Sequence, residues 1–128
     1  MGIIQKRSRR KPTGGRYRPF RKKRILESGD LPSFTKLGKT SVRAKRTVGG
    51  NVKRVLLSHE VANLYDPSTK KYMQVKIKTI LESPSNRNFV RRNIMTKGTI
   101  LETDKGKARI TNRPGQEGTI NAVLVKEK

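Results

Sequence analysis

From residue 73 to residue 81, Met73, Val75, Ile77, Thr79 and Leu81 fall on every second position, with Gln74, Lys76 and Lys78 between them. A period of two is the signature of a half-buried strand. The turn formers of residues 83–88 break the pattern. A second strand-like run covers residues 94–103, with Val90-Arg91-Arg92-Asn93 at its entrance. Gly98 interrupts that run, which predicts a bulge or a close backbone approach. Asp104-Lys105-Gly106 then separates it from residues 107–112, a hairpin with Gly at the left-handed position.

Upstream, Gly49-Gly50-Asn51 marks a turn and residues 52–57 read as a strand. Between them and Tyr65 the pattern is ambiguous. Leu57, Val61 and Leu64 suit a helix, whereas Val61, Asn63 and Tyr65 suit a strand. Asp66-Pro67-Ser68-Thr69 favours a type I turn with a strand directly after it, so a hairpin of residues 61–65 and 71–80 is expected. Residues 113–118 form a loop and 119–125 a last strand. The fold class is therefore mainly β: a small β-barrel of about six short antiparallel strands, spanning residues 47–128.

Residues 1–46 have a different texture. Arg21–Glu27 suits at most a helical turn ended by Ser28-Gly29, and Leu31, Phe34 and Leu37 are spaced to pin the segment to the core. Otherwise apolar positions are too few to offset ordering entropy by burial. A long, basic, extended N-terminal arm is expected, disordered until it meets a partner.

Charge names the class of partner. The chain carries 32 Lys and Arg against 9 Asp and Glu, a formal net charge of +23. Residues 1–54 hold most of that excess, with Glu27 and Asp30 as their only acids. Such a chain calls for a polyanion. In the arm, Lys6, Arg7, Arg9, Arg10 and Lys11 precede Gly14, Gly15 and Arg16. Tyr17 and Phe20 alternate with Arg16, Arg18 and Arg21, and Lys22, Lys23 and Arg24 follow. Rings among guanidinium groups suit stacking on bases while phosphates are held, and paired glycines allow close backbone approach. The competing reading is a solvated basic tail or a localisation signal. Further candidate RNA-binding residues are Arg43, Lys45, Arg46, Lys53, Arg91, Arg92, Asn93, Lys97, Arg109 and Arg113. Arg forks bind phosphate bidentately and Asn can read a base edge.

Catalytic and metal chemistry find no support. The chain has no Cys and a single His. Asn63 stands where a zinc-protease helix would need its second His after His59-Glu60. Ser58 and His59 are adjacent and would face opposite sides of a strand. Gly38-Lys39-Thr40 lacks the upstream Gly of a phosphate-binding P-loop, since Ser33 occupies that position. No enzyme, cofactor, metal site or small-molecule substrate is expected. No membrane span and no signal-peptide core are expected either, and Lys6 departs from the myristoylation pattern that Met1-Gly2 begins.

These residues carry a resemblance. The segments Arg7–Lys11 with Thr13-Gly14-Gly15-Arg16 and Arg21–Arg24, Gly49-Gly50-Asn51, Asp66-Pro67, Val90-Arg91-Arg92-Asn93-Ile94 with Thr96-Lys97-Gly98, and Ala108-Arg109-Ile110-Thr111 with Arg113-Pro114-Gly115-Gln116 occur in order. In them the chain resembles the small-subunit ribosomal protein S8e family of archaea and eukaryotes. The resemblance implies a β-barrel with an N-terminal extension bound to ribosomal RNA, in the cytoplasm, among neighbouring ribosomal proteins. The long insertion of eukaryotic members is missing, so the chain resembles the archaeal form. The alternative from composition alone is a sequence-nonspecific, DNA-binding chromatin protein. A basic regulator of an enzyme stands behind both.

Overall fold

The computed structural model describes residues 3–125, which fall into two compact units, divided between Pro32 and Ser33. Met1-Gly2, the start of the myristoylation pattern, lies outside the described residues.

The first unit has little regular structure. Strand β1 (Ile3–Ile4) pairs antiparallel with β2 (Ser28–Gly29), and a single 3-10 turn, Ile25–Glu27, precedes β2. The helical turn expected over Arg21–Glu27 is confined to those last three residues. Ile25 is 94% exposed, and Leu26, Leu31 and Phe20 are also open to solvent. The unit thus holds its shape through backbone bonds and charge rather than through an apolar core.

The second unit begins at Ser33, so residues 33–46, read from sequence as arm, contribute two strands here. They are β3 (Thr35–Leu37) and β4 (Ser41–Arg46). A 3-10 turn, Val48–Gly50, leads to β5 (Val52–His59) and β6 (Val61–Asp66). The ambiguous stretch is thereby two strands with a corner at Glu60, whose carbonyl accepts from Ile77 N at 2.9 Å. Then come β7 (Lys71–Glu82), a short helix α1 (Arg87–Arg91) and β8 (Ile94–Met95). Strands β9 (Ile100–Thr103), β10 (Gly106–Ile110) and β11 (Asn121–Leu124) complete the chain.

Five strands close into a barrel in the order β10-β11-β6-β7-β9, and β4-β5-β3-β8 form a second, four-stranded sheet. The mainly β barrel is as expected, but the wholly antiparallel arrangement is not. β11 returns through the 111–120 loop to lie parallel to β6, Asn121 against Asn63 and Val123 against Tyr65. β3 likewise runs parallel to β5. The expected 94–103 strand is split by a turn in which Thr99 N donates to Thr96 O at 3.2 Å. Gly98 holds φ +85° at the third position of that turn, where only a residue tolerant of positive φ fits. Its backbone role is therefore a turn, not a bulge.

The core follows the alternation. Ala62 and Leu64 of β6, Val75 and Ile77 of β7, Leu101 of β9, Ala108 and Ile110 of β10 and Ala122 of β11 all point inward. Leu56, Met95 and Ile120 join them. Small alanines on β6, β10 and β11 oppose large aliphatics, as a narrow barrel requires. In β7 the period slips. The pairing with β9 shifts between Ile77 and Thr79, so Ile80 turns inward while Thr79 and Leu81 turn out. A bulge adds one residue and inverts every position after it. Exposed Thr79 then donates through Oγ1 to Glu102 Oε2 at 2.9 Å. The buried Thr35 hydroxyl finds a partner, Oγ1 donating to Leu56 O at 2.8 Å.

Candidate nucleic-acid interface

In the first unit, Pro12-Thr13-Gly14 is the loop of a tight hairpin. Gly14 N donates to Lys11 O at 3.0 Å and Lys11 N to Gly15 O at 2.7 Å. Arg10 and Arg16 bridge the two legs, and Tyr17 N donates to Arg9 O at 2.9 Å. Pro pre-sets the first turn position, and Gly14 supplies the positive φ (+85°) that closes a three-residue loop. The glycine pair read as a site of close approach thus first builds a hairpin. That hairpin puts Arg9, Arg10, Lys11 and Arg16 on one short, exposed ribbon.

Glu27 organises the remaining charge of this unit. Its Oε1 accepts from Lys6 Nζ at 2.8 Å and from Arg21 Nη2 at 2.6 Å, and its side chain is only 7% exposed. The Lys6 hydrogen bond is the main cause that holds this carboxyl below its ordinary range, with a backbone hydrogen bond and the two cations adding to it against burial. Two cations are therefore engaged by Glu27. Arg7, Arg9, Arg10, Lys11, Arg16, Arg18, Lys22, Lys23 and Arg24 have no ion pair to a carboxylate among the described residues. The rings are covered by cations. The Arg7 guanidinium lies 4.0 Å from the Tyr17 centroid, and Lys6 and Arg21 lie 5.3 and 5.2 Å from Phe20. Cation–π contact fixes these side chains without neutralising them.

The second unit displays its cations in three places. The first is the hairpin of β4 and β5. Lys45 directly faces Lys53, and Arg43 shares their side of the sheet. Arg46 and Arg54 occupy the other side. Gly49 and Gly50 both have positive φ (+75° and +76°), and Thr47 N donates to Asn51 O at 2.7 Å to close the tip.

The second place is the end of α1. Asn86 caps the helix, its side chain accepting from Asn88 N at 2.9 Å. Arg91 ends the helix and Arg92 is its C-cap, both exposed, so the segment read as the entrance to a strand is helical. The Arg92 guanidinium lies 5.7 Å from the Phe34 ring, which packs on Phe89 at 5.6 Å. Asn93 has φ +51° and its carbonyl accepts from Leu37 N at 3.1 Å. Its backbone ends the helix, a role that Asn fills readily.

In the third place, the Arg109 guanidinium reaches within 4.0 Å of where a side chain on Gly98 would begin, beside exposed Lys97. Arg113 stands apart from these, in the loop where Gly115 packs against the Ser33 backbone.

Sequence reasoning passed over Arg54 and Arg87. Arg54 was legible as an alternate position of its strand. Arg87 needed Asn86 to be read as a helix cap rather than as a turn former. Of the three residues spaced to pin the arm, Leu37 packs on the barrel core and Phe34 on Phe89, while Leu31 is exposed. His59 Nδ1 is hydrogen-bonded to Thr40 Oγ1 at 2.9 Å, and no group of three metal-ligating side chains occurs among the described residues. No helix among them is long and apolar enough to cross a membrane.

Residues 4–125 match the family model described as ribosomal protein S8e. Three archaeal relatives, each named small ribosomal subunit protein eS8, align over almost the whole chain. That of Picrophilus torridus is 48% identical over 125 residues, covering 98% of this chain and all of the relative. Those of Methanocorpusculum labreanum and Methanosphaerula palustris are 49% and 50% identical over 123 residues, covering 96% of this chain and 98% of each relative.

Proposed function

The chain belongs to the ribosomal protein S8e family, and from that premise we propose that it is a structural, RNA-binding component of the small ribosomal subunit. The family is one of ribosomal proteins, not of enzymes. The observation that carries the RNA-binding part is the imbalance in the first unit. One carboxylate, Glu27, engages Lys6 and Arg21, while the basic side chains from Arg7 to Arg24 named above are left for phosphates. Each one that meets a phosphate displaces a condensed counterion, and that release drives binding.

The arm, cut back from the 1–46 of the sequence reading to the segment before Ser33, lies between RNA helices and fixes their relative position. The β4–β5 hairpin, the α1 end and the Lys97–Arg109 corner supply further backbone contacts. Such contacts position without reading sequence. Subunit assembly gains from this because one small protein ties separate helices together, in the cytoplasm and beside other ribosomal proteins.

The test is competition. The full chain, bound to a folded small-subunit ribosomal RNA fragment, is challenged with duplex DNA at moderate salt. Retention on the RNA and co-sedimentation with small subunits are expected. Equal exchange onto duplex DNA would favour the chromatin reading instead.

A further inference from the structure

The barrel wall has one face that the basic surfaces do not account for. Strand register places Arg109, Val123, Tyr65 and Tyr72 in a row across β10, β11, β6 and β7. The next row along the strands holds Asn121, Asn63 and Gln74. Side chains of one register row share a face. All but Arg109 line an open cleft of about 560 Å³ with no charged residue in its walls. In a protein of net charge +23 that neutrality is unusual. Tyr72 is 80% exposed, and its ring leans on Tyr65 with centroids 4.8 Å apart. Asn63 Nδ2 donates to Asn121 Oδ1 at 3.2 Å, which leaves an acceptor on Asn63 and donors on Asn121.

We infer that this cleft takes an unpaired RNA base. A stiff, exposed aromatic step offers a stacking platform that any base satisfies. Neutral amides that both donate and accept match a base edge, whereas phosphates or an acidic peptide would call for cations in the walls. The inference goes beyond phosphate contact by the arm and rests on the chain meeting RNA.

The test compares full-length chains on a short unstructured oligoribonucleotide and on duplex RNA of equal length, at one salt concentration. Tyr72→Ala removes an exposed ring and leaves the core intact. It is expected to weaken single-strand binding about tenfold, within the range for removal of one base–aromatic stack. Duplex affinity should be unchanged and Tyr72→Phe should behave as the parent. A Tyr72→Ala chain with parental single-strand affinity, or with equal weakening on both RNAs, would overturn the inference. Parental oligonucleotide affinity combined with poor retention in assembled subunits would assign the cleft to a protein neighbour and also overturn it. In those cases duplex binding that disappears in an Arg7, Arg9 and Arg10 triple-Ala chain would leave the proposed function standing. A parent chain that binds neither RNA would end both.

Discussion

Glu27 shows how much one carboxylate decides in so basic a chain. With Lys6 and Arg21 both on its Oε1, its folded-state pKa is depressed. The sign follows from linkage: a depressed acid contributes stability that is present above its unfolded pKa and is lost as pH falls through the folded value. The first unit should therefore keep its ion-pair cluster at neutral pH and lose it in acid, below the ordinary carboxylate range. A carboxyl-detected NMR titration should place Glu27 below that range in the parent and shift it upward in a Lys6→Ala chain. A Glu27 that titrates normally in the parent would remove the cluster from the account. Arg91 and Arg92 are the other residue-scale case. Because both are exposed at a helix end, replacing them with Ala should cost no core packing. It should lower the salt dependence of RNA binding by about 0.7–0.9 in slope for each phosphate that is no longer neutralised. An unchanged slope would show that these guanidinium groups do not touch phosphate.

Among the elements, turns carry the arrangement of the interface. The 96–99 turn requires Gly98 at φ +85°, where a β-branched residue is strained. Gly98→Val should destabilise the barrel by about 1 kcal/mol or more, read as a lower thermal midpoint. Gly115 fails differently. A Cβ there would come 2.7 Å from the Ser33 carbonyl oxygen, closer than real contacts allow. Gly115→Ala should thus destabilise through backbone overlap rather than through φ. The α1 cap is milder. Asn86→Ala removes the acceptor for Asn88 N and should cost about 0.5–2 kcal/mol, and it should free Arg91 and Arg92 from their fixed orientation. A parental midpoint for Gly98→Val would contradict the turn assignment, because nothing else at that site excuses a positive φ.

At the scale of the whole molecule, two units of unlike construction share one chain. The second buries a continuous aliphatic core; the first exposes Phe20, Ile25, Leu26 and Leu31. Local opening is cheap where few apolar contacts must break. Trypsin should accordingly remove the first unit from the free protein quickly. Sequence alone places the surviving fragment's start near Val48. With β4 paired along β5 from Ser41 to Arg46, the last readily cut site before the barrel unit is Arg24, and the fragment should begin at Ile25. The same digestion on assembled subunits should leave the arm whole. A free chain whose first unit resists trypsin would mean that it is stably packed before RNA arrives, and arm ordering on RNA would have to be abandoned.

Periodicity and turn chemistry determined by themselves that the chain is mainly β and where most strands lie. These signals are local: Asp66 capping the β6–β7 turn through Ser68 N at 2.8 Å involves neighbours only. The basic character of the arm was equally legible, since charge needs no fold to be counted. Tertiary structure decided the rest. Whether β11 pairs parallel to β6, which way Ile80 turns after the β7 bulge, and that residues 33–46 belong with the barrel all depend on partners distant in sequence. The tyrosine and amide rows belong to that second group. Asn63 and Asn121 are 58 residues apart, and only closure of the barrel brings them within 3.2 Å. An alternating pattern states which face a side chain takes along its own strand; it carries no information on which strand will lie beside it.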